Sequence, residues 1–378
     1  MTDRAPRRAV AVVFVLHGLL FASWTAHIPA VKGHLHLTDG SLGLALLGAP
    51  VGSALLTAVA GWLLPRYGSR ALVRVALAGY CTTGPLVGLA GSLPELFAAL
   101  FGWGAFQGLL DVAMNTQGIA VERHQGRRLM SGLHGGWSTG AFLGAGAGSA
   151  GVAVGLSLAW QLVLLGALGA AIGLAPTRAM LDDEVDEQHE VPVRQRFSSL
   201  VLVLGATAFA SMLCEGASAD WAAVYLHDHL GTAASTAGLA YTTFALAMVV
   251  VRLGGNRLAD RVTERRLVPG LALLATVGFG VALAVDQPAA AFAGYACLGA
   301  GLGSVVPSVF SAAGRLPGLH PGSSVAAVAA FGWLGFVVGP PLIGWLAGAG
   351  SLRGALVLLP VLTGAIALTT ALTPVLRR

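Results

Sequence analysis

Apolar stretches of about 20 residues follow one another along this chain, and they constrain it more than any other feature. A helix rises about 1.5 Å per residue, so about 20 apolar residues cross a hydrocarbon core about 30 Å thick. Twelve such spans are expected, at 9–31, 41–64, 71–91, 94–120, 129–152, 155–176, 198–226, 233–257, 267–285, 288–313, 322–348 and 353–375. They are too long for strands and lack alternation, and in lipid a helix satisfies its own backbone hydrogen bonds. Only 10% of the 378 residues are charged while 56% are hydrophobic. A soluble domain carries about 25% charged residues, so this chain cannot cover itself with water-compatible surface. The expected class is an all-α integral membrane protein. The first span is not read as a cleavable signal, being too long and without a small-residue cleavage site.

The basic residues orient the spans. With the amino terminus inside, 19 of the 22 Lys and Arg fall in inside segments. Lys32 and Arg353 fall outside, and Arg252 lies within a span. This asymmetry supports an even number of crossings, both termini in the cytoplasm, and a multi-pass place in the cell (inner or plasma) membrane. The net charge of +5 is thus a topology signal, and no aromatic-interleaved basic stretch points to nucleic acid. Cys81, Cys214 and Cys297 lie in separate spans and make neither a disulfide framework nor a metal site. No cofactor is expected, and the chain is read as a monomer.

One long polar stretch, "TRAMLDDEVDEQHEVPVRQRF" at 177–197, carries six of the 17 acids and reads as a solvated cytoplasmic linker. It separates an N-terminal six-helix bundle at 1–176 from a C-terminal one at 198–378. The two resemble copies shifted by 195 residues: "HLHLTDGSLGLA" at 34–45 faces "HLGTAASTAGLA" at 229–240, Gly104 faces Gly299, and Gly140 faces Gly335. Parallel six-span repeats are a transporter architecture, with the substrate site between them near the midplane.

"GWLLPRYGSR" at 61–70 resembles the signature loop of the major facilitator superfamily, Gly-x-Leu-Ala-Asp-Arg-x-Gly-Arg. Gly61, Leu63, Arg66, Gly68 and Arg70 fit, and Pro65 replaces the aspartate. The counterpart "NRLADRVTER" at 256–265 keeps Asp260 and Arg261. "LDVAMNTQGIAVER", "CEGASADWAAVYL" and "GLGSVVPSVFSAAGR" look like the branch that includes YbjJ and the rhizopine-associated MosC proteins, itself similar to fucose permease. The resemblance implies twelve helices in two six-helix repeats, alternating access, and loops 66–74 and 257–266 latching the cytoplasmic side. Drug/proton antiporters of the superfamily carry an arginine where Gly104 stands, and the Gly-Pro signature of span five is replaced here by Gly144 followed by Ala145.

Ionisable groups inside spans are costly, about 2.5–3.5 kcal/mol on insertion scales for Asp, Lys or Arg at a helix centre, and they mark pathways by default. His17, Asp111, His134, Glu215, Asp220 and Arg252 are such groups. Gln107, Asp111 and Asn115 stand four apart, on one helix face, which is expected to face the bundle interior. Glu215 and His17 are cavity candidates by resemblance, as spans one and seven line the superfamily's cavity; Trp24, Asp220 and Trp221 lie in the same region, and an acid on span four is a proton-coupling position in the fucose permease likeness. Trp137, near His134, either stacks on a sugar ring or packs. Arg252 is read as a structural ion pair. Pro340 and Pro341 are expected to kink span eleven. "GAGAGSAG" at 144–151 lacks the strand that a dinucleotide loop requires; its small residues let helices approach closely.

The expected function is a secondary transporter of a small hydrophilic solute, sugar- or polyol-like, coupled to protons. An exporter of amphipathic compounds or drugs is the first alternative, and a non-transporting sensor the second. An enzyme is not expected, since no nucleophile–base pair, metal spacing or phosphate loop stands out.

Overall fold

The computed structural model describes residues 4–127, 129–182, 199–259, 264–316 and 321–373. The first crossing is α1 (Arg4–Ser23), a 3₁₀ turn (Thr25–His27) and α2 (Ile28–His34). Then come α3 (Asp39–Leu46), α4 (Gly48–Val87), α5 (Leu93–Gln125), α6 (Met130–Ala153), α7 (Leu158–Leu174) and α8 (Ser199–Val224), which a π turn (Tyr225–His229) extends. After these follow α9 (Ala234–Ala259), α10 (Glu264–Val285), α11 (Pro288–Leu302), α12 (Val305–Ala313), α13 (Pro321–Ala349), α14 (Leu352–Leu356) and α15 (Leu358–Leu372).

Among the described residues, ten segments have the length and hydropathy of a membrane span. One of them, Asp39–Val87, has 49 residues, far more than one crossing needs, and its backbone leaves the helical region at Gly68 (φ 75°, ψ 155°). Only glycine takes that conformation without steric cost, and the chain doubles back there. The packing proves the reversal: Cβ atoms at Gly48 and Gly52 would meet Phe97 and Phe101, while Gly79 and Gly84 from beyond the break face Phe106 and Trp103 of the same α5. α6 is also long enough to cross, its many glycines diluting its hydropathy. Among the described residues, dividing Asp39–Val87 at Gly68 and adding α6 gives twelve segments long enough to cross a membrane. The expected loop at 65–70 is a single-glycine break between two helices, and α13 runs on as helix through Pro340 and Pro341.

Contacts divide the chain into two units, Met1–Glu187 with Ala233–Thr242, and Gln188–Thr232 with Thr243–Arg378. In the first, α1 lies against α6 along a small-residue seam: Cβ atoms at Gly140, Gly144 and Gly148 would strike the carbonyls of Val15, Leu19 and Ser23. Lipid tails supply no hydrophobic drive between helices, so such close backbone approach provides the attraction. The second unit pairs α8 with α13, where Gly335 faces the Phe209 carbonyl, and α10 with α11, where Gly301 faces Leu271 and Ala275.

Candidate functional site

α5 needs two features to bring its polar face into place: Ser92 caps its start, accepting from the Glu95 backbone, and Gly104 and Gly108 let it approach α4 at Ala49 and Ser53. Asp111 is partly exposed, as are Gln107 and Asn115. Asn115 Nδ2 donates to the Asp111 backbone carbonyl at 2.8 Å and to Oδ1 at 3.2 Å. Among the described residues no other group bonds the Asp111 carboxylate. Gln107 takes part through its backbone: its carbonyl accepts from His17 Nε2 at 3.3 Å. Trp137 Nε1 donates to His17 Nδ1 at 2.6 Å. These two bonds assign the neutral tautomer with hydrogen on Nε2. His17 thus ties α1 to α5 and α6, and a second proton on Nδ1 would face the indole N–H and break the Trp137 bond.

Aromatic rings surround this tie. Tyr80 lies 5.6 Å from the His17 ring and stacks on Trp103 at 5.0 Å, and Trp24 meets Trp103 edge-on at 6.3 Å. Trp103 Nε1 donates to the Tyr80 carbonyl at 3.0 Å. Phe21 and Trp137, with ring centroids 5.7 Å apart, are both partly exposed. Tyr80, Trp103 and Phe21 escaped the sequence reading, because an aromatic in a span looks like any lipid-compatible residue. His134 is exposed, and its ring touches Phe14 edge-on at 5.4 Å.

In the second unit, Glu215 is buried (7% exposed) and lies 3.9 Å from Arg252 Nη2. Arg252 Nε donates to the Gly303 carbonyl at 3.3 Å, where α11 ends and α12 has not begun. The pairing expected of Arg252 is thus present, with Glu215 as the acid. Asp220 is partly exposed. Trp221 is wholly buried, and its indole N–H has no partner among the described residues.

The motif loop is engaged locally. Gly61 and Arg66 are exposed; Arg66 donates to the Trp62 carbonyl at 3.0 Å and lies 4.1 Å over the Trp62 ring. Arg70 pairs with Asp182. Gln117 Nε2 donates to Ser69 Oγ at 2.8 Å and to the Leu181 carbonyl at 2.9 Å. These bonds hold the start of the expected linker against α4 and α5, and Thr177 and Met180 are buried. Arg178, Ala179 and Asp182 of the same stretch are exposed. Asp260, Arg261 and the rest of the linker lie outside the described residues.

A further network closes one end of the second unit. Asp286, at positive φ in the turn after α10, accepts from Tyr225 Oη at 2.9 Å and lies 3.0 Å from His229 Nε2 and 3.1 Å from Arg353 Nη1. Desolvation pushes the Asp286 carboxyl up, but the Tyr225 hydroxyl, His229 and Arg353 together outweigh it and hold the group below its ordinary value.

Comparison with known proteins places the chain. The model of the Major Facilitator Superfamily matches residues 10–320 and 203–378. An uncharacterized MFS-type transporter of Yersinia pestis is 34% identical over 363 residues, covering 95% of this chain and 94% of its own. The membrane protein MosC of Rhizobium meliloti is 33% identical over 350 residues, covering 92% and 85%. The solved D-xylose–proton symporter has the same fold, with a TM-score of 0.72 at 17% identity over 97% of each chain.

Proposed function

The chain belongs to the major facilitator superfamily, and from that membership we propose that it is a secondary transporter using alternating access to move a small hydrophilic solute, sugar- or polyol-like, together with protons. The observation that carries the proton part is Asp111. A carboxyl within a span is retained at a cost unless it serves a pathway, and among the described residues only Asn115 bonds it. His17 is the weaker carrier, as both of its ring nitrogens are engaged. The solute part is supported by Trp137 and Phe21: partly exposed aromatic residues, the indole held by His17, suit the apolar face of a sugar. The asymmetry of basic residues supports an inner-membrane protein with both termini in the cytoplasm.

The test is uptake by protein reconstituted in liposomes under an imposed proton gradient, with sugars, polyols, organic acids and lipophilic cations as candidates. Asp111→Asn is expected to slow proton-driven uptake at least about tenfold, a difference of about 1.4 kcal/mol, with the thermal unfolding temperature unchanged. Wild-type rates in that variant remove the proton assignment. Flux of lipophilic cations alone replaces the solute assignment with export.

A further inference from the structure

We propose that Arg252 is an anion-receiving group, and that Glu215 occupies it only until a carboxylate-bearing solute and a proton take its place. This inference rests on the transport reading above and names a chemical class of solute from a second group of intramembrane residues, in the C-terminal unit.

Glu215 is a buried carboxylate without a hydrogen bond among the described residues. Its contact with Arg252, at 3.9 Å, is too long for one, although a carboxylate offers about four acceptor sites. A guanidinium fits a carboxylate with two parallel N–H···O bonds, and the Glu215 contact is not of that kind. Arg252 is held in place independently, through Nε on the Gly303 carbonyl at the break between α11 and α12. The next residue, Ser304, has a hydroxyl oxygen that is buried and without a partner among the described residues. The site therefore has a cation fixed by the backbone, a loosely engaged acid beside it and an unused hydroxyl at the adjoining break.

Of the helices packed on α8, α12, α13 and α15 contain no ionisable residue, and α11 contributes only Tyr295 and Cys297; the π turn that continues α8 carries Tyr225, His227, Asp228 and His229, ten or more residues beyond Glu215. α8 itself adds Cys214 and Asp220. Arg252 is thus the one cation facing Glu215 among the described residues. An anionic solute that takes the guanidinium leaves Glu215 charged and unpaired in a buried position, which the protein interior opposes. One proton from solution bonding to a Glu215 carboxyl oxygen removes that charge. Anion and proton enter together, the Glu215–Arg252 pair opens, and the net charge of the site is unchanged.

The experiment uses the detergent-purified full chain with three carboxylates (galacturonate, gluconate, lactate) and their neutral counterparts (galactose, sorbitol, glycerol). Binding is followed by thermal shift, and proton uptake by calorimetry in buffers of different ionisation enthalpy. At least one carboxylate should bind with uptake of one proton, its affinity falling by as much as about tenfold per pH unit as the pH rises, the limit for one linked proton. Glu215→Gln, which mimics the protonated acid, should bind it about tenfold tighter at pH 7.5 and without proton uptake. Arg252→Gln should lose carboxylate binding, and Arg252→Lys should keep part of it. If Arg252→Gln does not fold, the double variant Glu215→Gln/Arg252→Gln removes both charges and must still fail to bind carboxylates.

The proposal is overturned if no carboxylate binds either wild type or Glu215→Gln, if binding brings no proton, or if Glu215→Gln weakens binding as Arg252→Gln does. That last result would make the pair a structural tie. Proton-driven uptake of a neutral sugar in liposomes would leave the transport reading standing while this one fell.

Discussion

At a shift of 195 residues Gly104 becomes Gly299 and Ala49 becomes Phe244, and in both units a Cβ on the glycine would strike the carbonyl of that partner. At the same shift His17 becomes Met212 and Trp137 becomes Gly332. The pair still meets, since a Cβ at Gly332 would touch Met212 Sδ, but the hydrogen-bonded tie of the first unit is absent from the second. Conversely Glu215 and Arg252 stand where the first unit has Leu20 and Thr57. The repeat has kept the close backbone approaches that drive helix association in lipid and has let the polar side chains diverge. One unit holds a neutral, aromatic tie beside a carboxyl; the other holds a charge pair.

The shared part of this comparison predicts the largest effects. Gly104→Val and Gly299→Val should each destabilise the protein by about 3 kcal/mol, the upper range for overpacking, because the obstacle is backbone that cannot swing away. Thermal unfolding in detergent measures it. A large loss in one variant and none in the other would break the equivalence of the two helix pairs.

The divergent part predicts unequal effects at equivalent positions. His17→Leu leaves the Trp137 indole N–H without its acceptor and should cost about 1–3 kcal/mol. Met212→Leu conserves volume and should cost less than about 1.5 kcal/mol. Adding Trp137→Phe to His17→Leu should recover much of the loss, since contacting residues couple. Equal losses at positions 17 and 212 would show that packing, not the hydrogen bond, sets the difference.

The units differ again at their ends. The first has the Lys32–Asp39 pair at 2.6 Å; the second gathers Tyr225, His229 and Arg353 on Asp286. Asp286→Asn should cost about 1 kcal/mol, an amount scaled down for its exposure to solvent. Because the folded state lowers the Asp286 value, its contribution is fully present above the unfolded value and is lost as the pH falls through the lower, folded one. The gap between wild type and Asp286→Asn should therefore close only in strong acid. A gap that stays constant through that range would deny the carboxylate its role.

The crossings were legible because lipid taxes every unpaired backbone group and every charge, so apolar runs and basic loops speak plainly. The same cost flagged His17, Asp111, Glu215 and Arg252 one at a time. Their partners were not legible. His17 and Trp137 are separated by 120 residues, and whether two helices turn those faces together depends on packing that helical period does not encode. Arg70 pairs with Asp182, in a stretch whose composition reads as solvated. Tyr80 and Trp103 gave no signal, since nothing in an aromatic side chain distinguishes a lipid-facing ring from one stacked beside a histidine.

The smallest expected effect concerns the turn from α5 to α6, where Glu122, Arg123, His124 and Arg127 follow Val121. Glu122 Oε2 accepts from the backbone N–H of Met130 at 3.0 Å and also from that of Leu129, so it caps α6 from across the turn that Gly126 makes in the left-handed region. A carboxylate there satisfies otherwise orphaned donors and complements the positive end of the helix. The position equivalent to Glu122 is Pro317, which offers no acceptor side chain. Glu122→Gln keeps an oxygen but loses the charge, and should cost about 0.3–1 kcal/mol, shrinking as salt screens the helix end. Thermal unfolding of wild type and variant at low and high salt decides it. A loss indifferent to salt would mean that Glu122 acts as a hydrogen-bond acceptor alone, and the contrast with Pro317 would then be one of bonding rather than charge.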